Sequence, residues 1–268
     1  MPKISAKNLT VAYVEKGERF VALQDVSFAI AAGEFISILG ASGCGKSTLL
    51  SVLGGLKTAT AGEAAIDGEP IAGTGANRSF VFQHYSLFPW MTAKKNVVFA
   101  LKQARRKLSR REQHALADEF LAQVGLEKFK DKFPAQLSGG MQQRVAIARA
   151  LATDAEIMLM DEPFGAIDAK NRTLLQELLL RLWESGERKK TVVFVTHDVD
   201  EAMLLSDRIL MFSSHPGRVS REIAVPFPRP RDRARLVAAA EYHELRNVLL
   251  SLYFNDPKNT IIGDGSGI

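Results

Sequence analysis

Three short segments carry side chains able to act on a phosphate. Gly40-Ala41-Ser42-Gly43-Cys44-Gly45-Lys46-Ser47 has the spacing of a P-loop, standing between an apolar run, Phe35–Leu39, and a helical pattern over 48–53. In that setting Gly43 and Gly45 let the backbone wrap a phosphate, Lys46 reaches the terminal phosphates, and the Ser47 hydroxyl offers an oxygen to Mg²⁺. Gly40, Ser42, Cys44 and Thr48 complete the expected nucleotide-binding set; Cys44 reads as a small space-filler, because this chemistry needs no thiol. The second segment is Asp161-Glu162, which ends the apolar run Ile157-Met158-Leu159-Met160. A carboxylate at a buried strand end suits a Mg²⁺ shell, and its neighbour suits a general base that polarises water. The third is Leu137-Ser138-Gly139-Gly140-Met141-Gln142-Gln143-Arg144. Ser138, Gly139 and Gly140 open a helix there, and a helix start with free amides and the positive dipole end is an anion site.

The elements that must place these residues follow from the apolar pattern. Phe35–Leu39, the run at 157–160 and Thr191–Thr196 are short and nearly continuous in apolar β-formers, as strands buried on both faces of a parallel sheet are. Helical patterns follow them; Leu174, Leu175, Leu178, Leu179, Leu182 and Trp183 form one stripe that Gly186 terminates. This alternation predicts an α/β fold with a mostly parallel sheet and an N-terminal antiparallel β portion. Over 92–151 only helical patterns occur, which predicts an inserted all-helical subdomain. Ser109 with Glu112 makes a capping box there, Leu116, Phe120, Leu121 and Val124 line one face, and Gly125 ends the helix. Beyond residue 225, Pro226-Phe227-Pro228-Arg229-Pro230-Arg231 reads as an extended linker, followed by one helix over about 233–254 and a glycine-rich tail expected to fray. The division is therefore 1–225 for the α/β domain with its helical insert and 226–268 for linker, helix and tail.

Bulk numbers exclude other classes. With 46% apolar and 24% charged residues the 268-residue chain has the composition of a globular protein. Its 35 basic and 30 acidic residues leave a mild +5, and the cations read as scattered, so no nucleic acid partner is expected. A single cysteine excludes an internal disulfide. The N-terminus reads straight into a strand with no signal-peptide core, and no apolar run approaches the ~18 residues that span a bilayer.

The P-loop, the 137–144 segment and Met160-Asp161-Glu162-Pro163, in this order, resemble the ATPase subunit of ABC transporters over about 4–225. The resemblance implies further site residues. Gln83 falls at the loop glutamine that contacts Mg²⁺ and senses the membrane partner, which makes it both a catalytic and a metal residue. Asp168 ends the D-loop Gly165-Ala166-Ile167-Asp168, where serine and leucine are more usual, and His197 falls at the switch histidine that holds the γ-phosphate and orients water against Glu162. Tyr13 lies where an aromatic stacks on adenine, with Phe20 as the competing ring. Taken alone, Gln83 also reads as surface, His197 as a core histidine and Tyr13 as core. The resemblance further implies that Ser138, Gly139 and Gly140 of one protomer grip the ATP held by another copy's P-loop, so that two ATPs are sandwiched in a head-to-tail dimer. ATP and Mg²⁺ are the expected ligands.

Transmembrane permease subunits, and indirectly a solute-binding protein, are the expected partners, and the cytoplasmic face of the inner membrane is the expected place. A chain without fused membrane helices favours importers over exporters. Tyr85, Phe88 and Trp90, after Gln83, stand where the family receives a coupling helix of the permease, or else they pack the helical subdomain. Phe88-Pro89-Trp90, Pro163-Phe164-Gly165-Ala166 and the stretch from Ser214-His215-Pro216-Gly217-Arg218 to Pro230-Arg231 together resemble the nitrate, sulfonate and taurine importer group. An exporter ATPase, or a non-transport ABC ATPase acting on nucleic acid or the ribosome, are the alternatives. The second is disfavoured because an ABC protein of translation usually carries two such cassettes where this chain has one. A chromosome-maintenance ATPase separates its P-loop and signature by a long coiled coil, whereas Lys46 and Ser138 are 92 residues apart with no sustained heptads.

Overall fold

The computed structural model describes residues 1–254 except 16, 166, 186–188 and 215. Ala166 of the D-loop, Gly186, His215 and the tail over 255–268 therefore lie outside the described residues. The strands are β1 (Ile4–Glu15), β2 (Glu18–Ile30), β3 (Phe35–Leu39), β4 (Ala61–Ile66), β5 (Glu69–Pro70), β6 (Arg78–Val81), β7 (Ile157–Asp161), β8 (Thr191–Thr196), β9 (Arg208–Ser213) and β10 (Arg218–Ala224). The α-helices are α1 (Lys46–Leu53), α2 (Ala93–Ala104), α3 (Arg110–Gln123), α4 (Gly139–Ala152), α5 (Ala169–Glu184), α6 (Val199–Leu205), α7 (Arg233–Ala238) and α8 (Ala240–Phe254).

An antiparallel sheet of order β2-β1-β4-β5 faces a six-stranded sheet of order β10-β9-β3-β8-β7-β6, in which only β10 runs antiparallel to its neighbour. The continuous apolar strands divide by residue parity, because successive side chains leave a strand on opposite faces. Phe35 and Leu39, Met158 and Met160, and Val192 and Phe194 enter one core together with α2 to α6. Ile36 and Ile38, Ile157 and Leu159, and Val193 and Val195 enter a second core with α1 and the antiparallel sheet. Helix α1 is thereby held between the sheets by Leu49, Leu50, Val52 and Leu53.

Helices α2, α3 and α4 pack on one another, and α4 also touches β6 and α5. The Ser109–Glu112 capping box forms, and Gly125 takes φ +72° where α3 ends. The stripe on α5 differs by one position: Leu174 is exposed and Leu180 is buried, since Leu175, Leu178, Leu179 and Trp183 already set the inward face.

The C-terminal segment departs from the expected linker and single helix. Ala239, at φ −79° and ψ 139°, breaks the helix into α7 and α8. Residues 226–231 are tied down rather than loose: Arg231 donates to the carbonyls of Met203, Leu204 and Ser206, supplying partners to the open C-terminal end of α6. Burial brings the Arg231 guanidinium down to about 10, with the neighbouring charge of Arg229 adding to the effect. Arg229 bonds Asp207, Glu184 and the Leu205 carbonyl and lies 4.4 Å over the Trp183 ring. Helix α8 then docks on α6 through Tyr242 and Arg246, both bonded to Asp200.

Candidate nucleotide site

The loop over 40–47 leaves β3 at its C-terminal end and turns into α1, where open α/β sheets gather their ligands. Two glycines have no substitute there. A Cβ at Gly40 would stand 2.8 Å from the Phe212 carbonyl oxygen, and one at Gly45 2.7 Å from Leu23 Cδ2 and 2.8 Å from the Ala22 carbonyl oxygen. Gly45 also takes φ +95° as the N-cap of α1, and no side chain caps that helix. The first amides of α1 are therefore free for an anion. Ser42 and Gly43 form the exposed tip. Cys44 is buried in the second core, and burial pushes its thiol up, which suits filling space and not attack.

Lys46 is almost fully buried and donates to the carbonyls of Gly40 at 2.7 Å and Ala41 at 2.8 Å, closing the loop on itself. Its ammonium also lies 3.7 Å from Glu162 Oε1. Ser47 donates to Asp161 Oδ1 at 2.9 Å, so a hydroxyl and a carboxylate meet at the exposed mouth of the loop. Burial pushes the Asp161 carboxyl up, and the Ser47 hydrogen bond works against that rise. This oxygen pair fits Mg²⁺, which takes few protein ligands and completes its shell with water and phosphate oxygens. Among the described residues no group of three His, Cys, Asp or Glu is placed to hold a metal ion.

Glu162 takes φ 40° just past β7, and its amide donates to the Val195 carbonyl of β8. Its Oε2 lies 3.2 Å from His197 Nδ1 at the end of β8. A Cβ at Gly165 would stand 3.8 Å from both Gln83 Nε2 and Glu162 Oε2, so the exposed Gln83 amide reaches the same spot. The structure thus brings Lys46, Ser47, Asp161, Glu162, His197 and Gln83 together. Tyr13 stands beside them: its hydroxyl is 3.2 Å from Thr48 Oγ1, and Lys57 Nζ sits 3.8 Å over its ring. Phe20 is its cross-strand partner, so the two candidate rings stand at the same register position of β1 and β2.

The segment over 137–144 is elsewhere. Ser138 caps α4 by accepting from the Met141 amide, and the nearest side chains to Gly140 are Asn171 and Ile167. Asp168 caps α5 and accepts from the Asn171 amide and Asn171 Nδ2, hydrogen bonds that hold its carboxyl below the usual range. Neither glycine nor serine of this helix start is joined to the P-loop of its own chain by a hydrogen bond among the described residues.

One residue of the site's frame escaped sequence reasoning. Arg149 of α4 donates to the carbonyls of Ser86 and Tyr85, two consecutive residues with positive φ that follow Gln83. The helix that opens at Ser138 therefore holds the loop that carries Gln83. Its signal was a lone arginine between Ala148 and Ala150, on an otherwise apolar helix turn.

A family model described as ABC transporter matches residues 23–165, more than half of the chain. The chain belongs to the ABC transporter family. It is an ABC ATPase, an ATP-binding and ATP-hydrolysing cassette. The nitrate import ATP-binding protein of Synechococcus elongatus is 46% identical over 236 residues, covering 88% of this chain and 85% of that protein. A bicarbonate transport ATP-binding protein of Synechocystis is 41% identical over 253 residues, covering 94% and 89%. A solved dimeric ATP-binding cassette in a post-hydrolysis state, bound to ADP and Pi, superposes with a TM-score of 0.74 at 38% identity, covering 84% of this chain and all of that one. No helix among the described residues of this ABC ATPase is long and apolar enough to cross a membrane.

Proposed function

We propose that the chain powers solute import through a membrane permease, working as a head-to-tail pair at the cytoplasmic face of the cell membrane. The observation that carries this reading is the separation of the two phosphate-facing features. The P-loop cluster gathers Lys46, Ser47, Asp161, Glu162 and His197, while the Ser138-Gly139-Gly140 helix start lies against Ile167 and Asn171 and shares no hydrogen bond with that cluster among the described residues. An ATP seated on Lys46 and Ser47 is then gripped from its open side by the same helix start of a second copy. The dimeric state of the solved cassettes supports the pairing.

Within each composite site Lys46 holds the terminal phosphates; Ser47, Asp161 and Gln83 would hold Mg²⁺, which would supply charge neutralisation of the phosphates. Glu162 takes the proton of the attacking water. His197 steadies the γ-phosphate and that water. Tyr13 stacks on the adenine, and Asp168 lies at the junction of the protomers. Closure on ATP and opening after hydrolysis make the pair a two-state engine. Residues 1–225 form the ATPase domain, with 92–151 as its helical subdomain. A groove of about 600 Å³ between the two, lined by Phe80, Phe88, Phe99 and Arg149, suits a short helix of the permease. Names of relatives and the motifs together point to nitrate, sulfonate, taurine, bicarbonate or a related small solute as cargo.

Mixing Ser138→Arg protomers with Lys46→Ala protomers tests the pairing. Each parent is expected to be inactive, and the mixture to recover hydrolysis from its one intact site per heterodimer. A mixture that forms dimers by crosslinking and still hydrolyses nothing refutes completion in trans. Import is tested by reconstitution with the co-purifying permease and binding protein, where the cargo should stimulate ATP hydrolysis.

A further inference from the structure

Between residues 70 and 111 the chain has nine lysines and arginines and not one aspartate or glutamate. The rest of the chain is consequently net acidic by four, so the cations are not evenly scattered as a first reading has them. The fold collects most of this block on α2, the turn after it and the start of α3. Lys94 and Arg105 have carboxylate partners in Asp118 and Asp154. Lys95, Lys102, Arg106, Lys107, Arg110 and Arg111 have none among the described residues, and all are exposed. Lys95, Lys102, Arg106 and Arg110, with His114, line one open groove of about 850 Å³ whose floor includes Val98 and Phe99. Trp90, 69% exposed, stands one residue before Met91 of the same groove and against Phe88, with ring centroids 5.6 Å apart.

We propose that this face, the exposed sides of α2 and early α3 with Trp90, binds the anionic phospholipid surface directly. The inference goes beyond the reading of a permease-bound ATPase. Unpaired like charges on long flexible side chains are not arranged around a single small ligand; they suit a diffuse sheet of negative charge, felt within about a Debye length. An exposed tryptophan beside apolar and basic groups has the composition of a surface that rests at the headgroup level. The competing occupant is an acidic stretch of the permease. Cytoplasmic permease loops carry an excess of lysine and arginine, so on average they repel the row Lys95, Lys102 and Arg110 where anionic headgroups attract it. The permease groove at Phe80, Phe88 and Arg149 is the neighbouring one, which shares Phe99, Gln103 and Arg106 with this face. That choice between occupants rests on the permease reading; the test below needs no permease.

The protein has two tryptophans, and Trp183 is buried, which makes Trp90 the reporter of its surroundings. The purified chain is mixed with vesicles of phosphatidylcholine containing phosphatidylglycerol, or of phosphatidylcholine alone, and followed by sedimentation and tryptophan emission. Binding and a blue shift are expected with the anionic vesicles only, and both should fade at high salt. The triple variant Lys95→Glu, Lys102→Glu, Arg110→Glu should lose at least about tenfold in partitioning, while Arg19→Glu with Arg221→Glu, of smaller charge change and remote from the face, should lose far less. Inorganic phosphate at equal ionic strength separates a phosphate site from a surface: competition beyond that of sodium chloride overturns the proposal. Equal loss per charge in the remote variant, or no binding to anionic vesicles at low salt, overturns it too. So does a triple variant that sediments as before and fails only to assemble with the permease. Unchanged melting temperature and basal ATP hydrolysis exclude misfolding in either variant. Failure here with intact cargo-stimulated hydrolysis leaves the transport reading standing, and the converse result leaves the lipid surface standing.

Discussion

Glu162 Oε2 stands 3.2 Å from His197 Nδ1, and this pairing ties the ends of the neighbouring strands β7 and β8. The backbone cooperates. Glu162 takes φ 40°, a region that costs a non-glycine residue about 1–3 kcal/mol and persists where the surroundings over-determine it. Here the surroundings are the bond from its amide to the Val195 carbonyl and the turn closed by the Gly165 amide on its own carbonyl. The carboxylate is thereby aimed toward the mouth of the P-loop.

Replacing that carboxylate by its neutral isostere keeps the shape and removes the base. Glu162→Gln is expected to lower steady-state hydrolysis by about 10²–10⁴ while ATP still binds. Size-exclusion chromatography with ATP should then show an accumulating dimer. A variant that binds ATP and stays monomeric would refute the sandwich.

Lys46 offers a different lesson, because its ammonium is already satisfied by the loop it belongs to. It donates to Gly40 and Ala41 carbonyls, and a nucleotide must draw it away from them toward phosphate. Lys46→Ala should lose nucleotide binding in a fluorescent-analogue titration. Circular dichroism should remain that of the folded protein, since the second core does not depend on this side chain. Unchanged affinity would sink the phosphate role.

Gly45→Ala tests whether the loop's shape is set by exclusion. The new methyl would meet Leu23 and the Ala22 carbonyl below 3 Å, in a backbone conformation that alanine resists. Strain of about 1–3 kcal/mol should appear as a lower melting temperature, with weaker ATP binding because α1 shifts against β2. At Gly43 the requirement is for φ +79° alone, since no atom lies within 4 Å of its would-be Cβ. Gly43→Ala should accordingly cost less stability than Gly45→Ala.

The chemistry was legible in the sequence because motif spacing survives folding unchanged. Lys46, Ser47, Asp161 and Glu162 are named from type and position, Gln83 and His197 from the family resemblance, and the six converge. Continuous apolar runs announced the buried parallel strands, and parity explains how one run serves two cores. What sequence could not give was partnership across long separations. Arg149 reading the Tyr85 and Ser86 carbonyls is one such case, and Arg231 closing the end of α6 is another. An arginine in a proline-rich stretch looks like a linker until the carbonyls it satisfies are seen. The break at Ala239 was equally hidden, because alanine favours helix and nothing in its neighbours marks an extended residue there.

Asp200 ties the C-terminal segment to α6, and its titration gives that docking a pH signature. Burial pushes its carboxyl up, yet the hydrogen bonds from Arg246 and Tyr242 outweigh burial and leave it below its ordinary value. The tyrosine responds in the opposite sense: burial and the Asp200 carboxylate raise its hydroxyl well above the ordinary value. A carboxyl whose folded value is depressed stabilises the fold fully above its unfolded value, near 3.9, and loses that contribution as pH falls through the folded value. The docking contribution should therefore be constant across neutral pH and disappear only below about pH 4. Both Asp200 and Arg246 are partly exposed, which holds the loss in Asp200→Asn to about 1 kcal/mol at pH 7. Denaturant titrations at neutral and acid pH should show this difference shrinking as pH falls. A difference that persists unchanged in acid would assign the effect to packing of α8 and not to the charge.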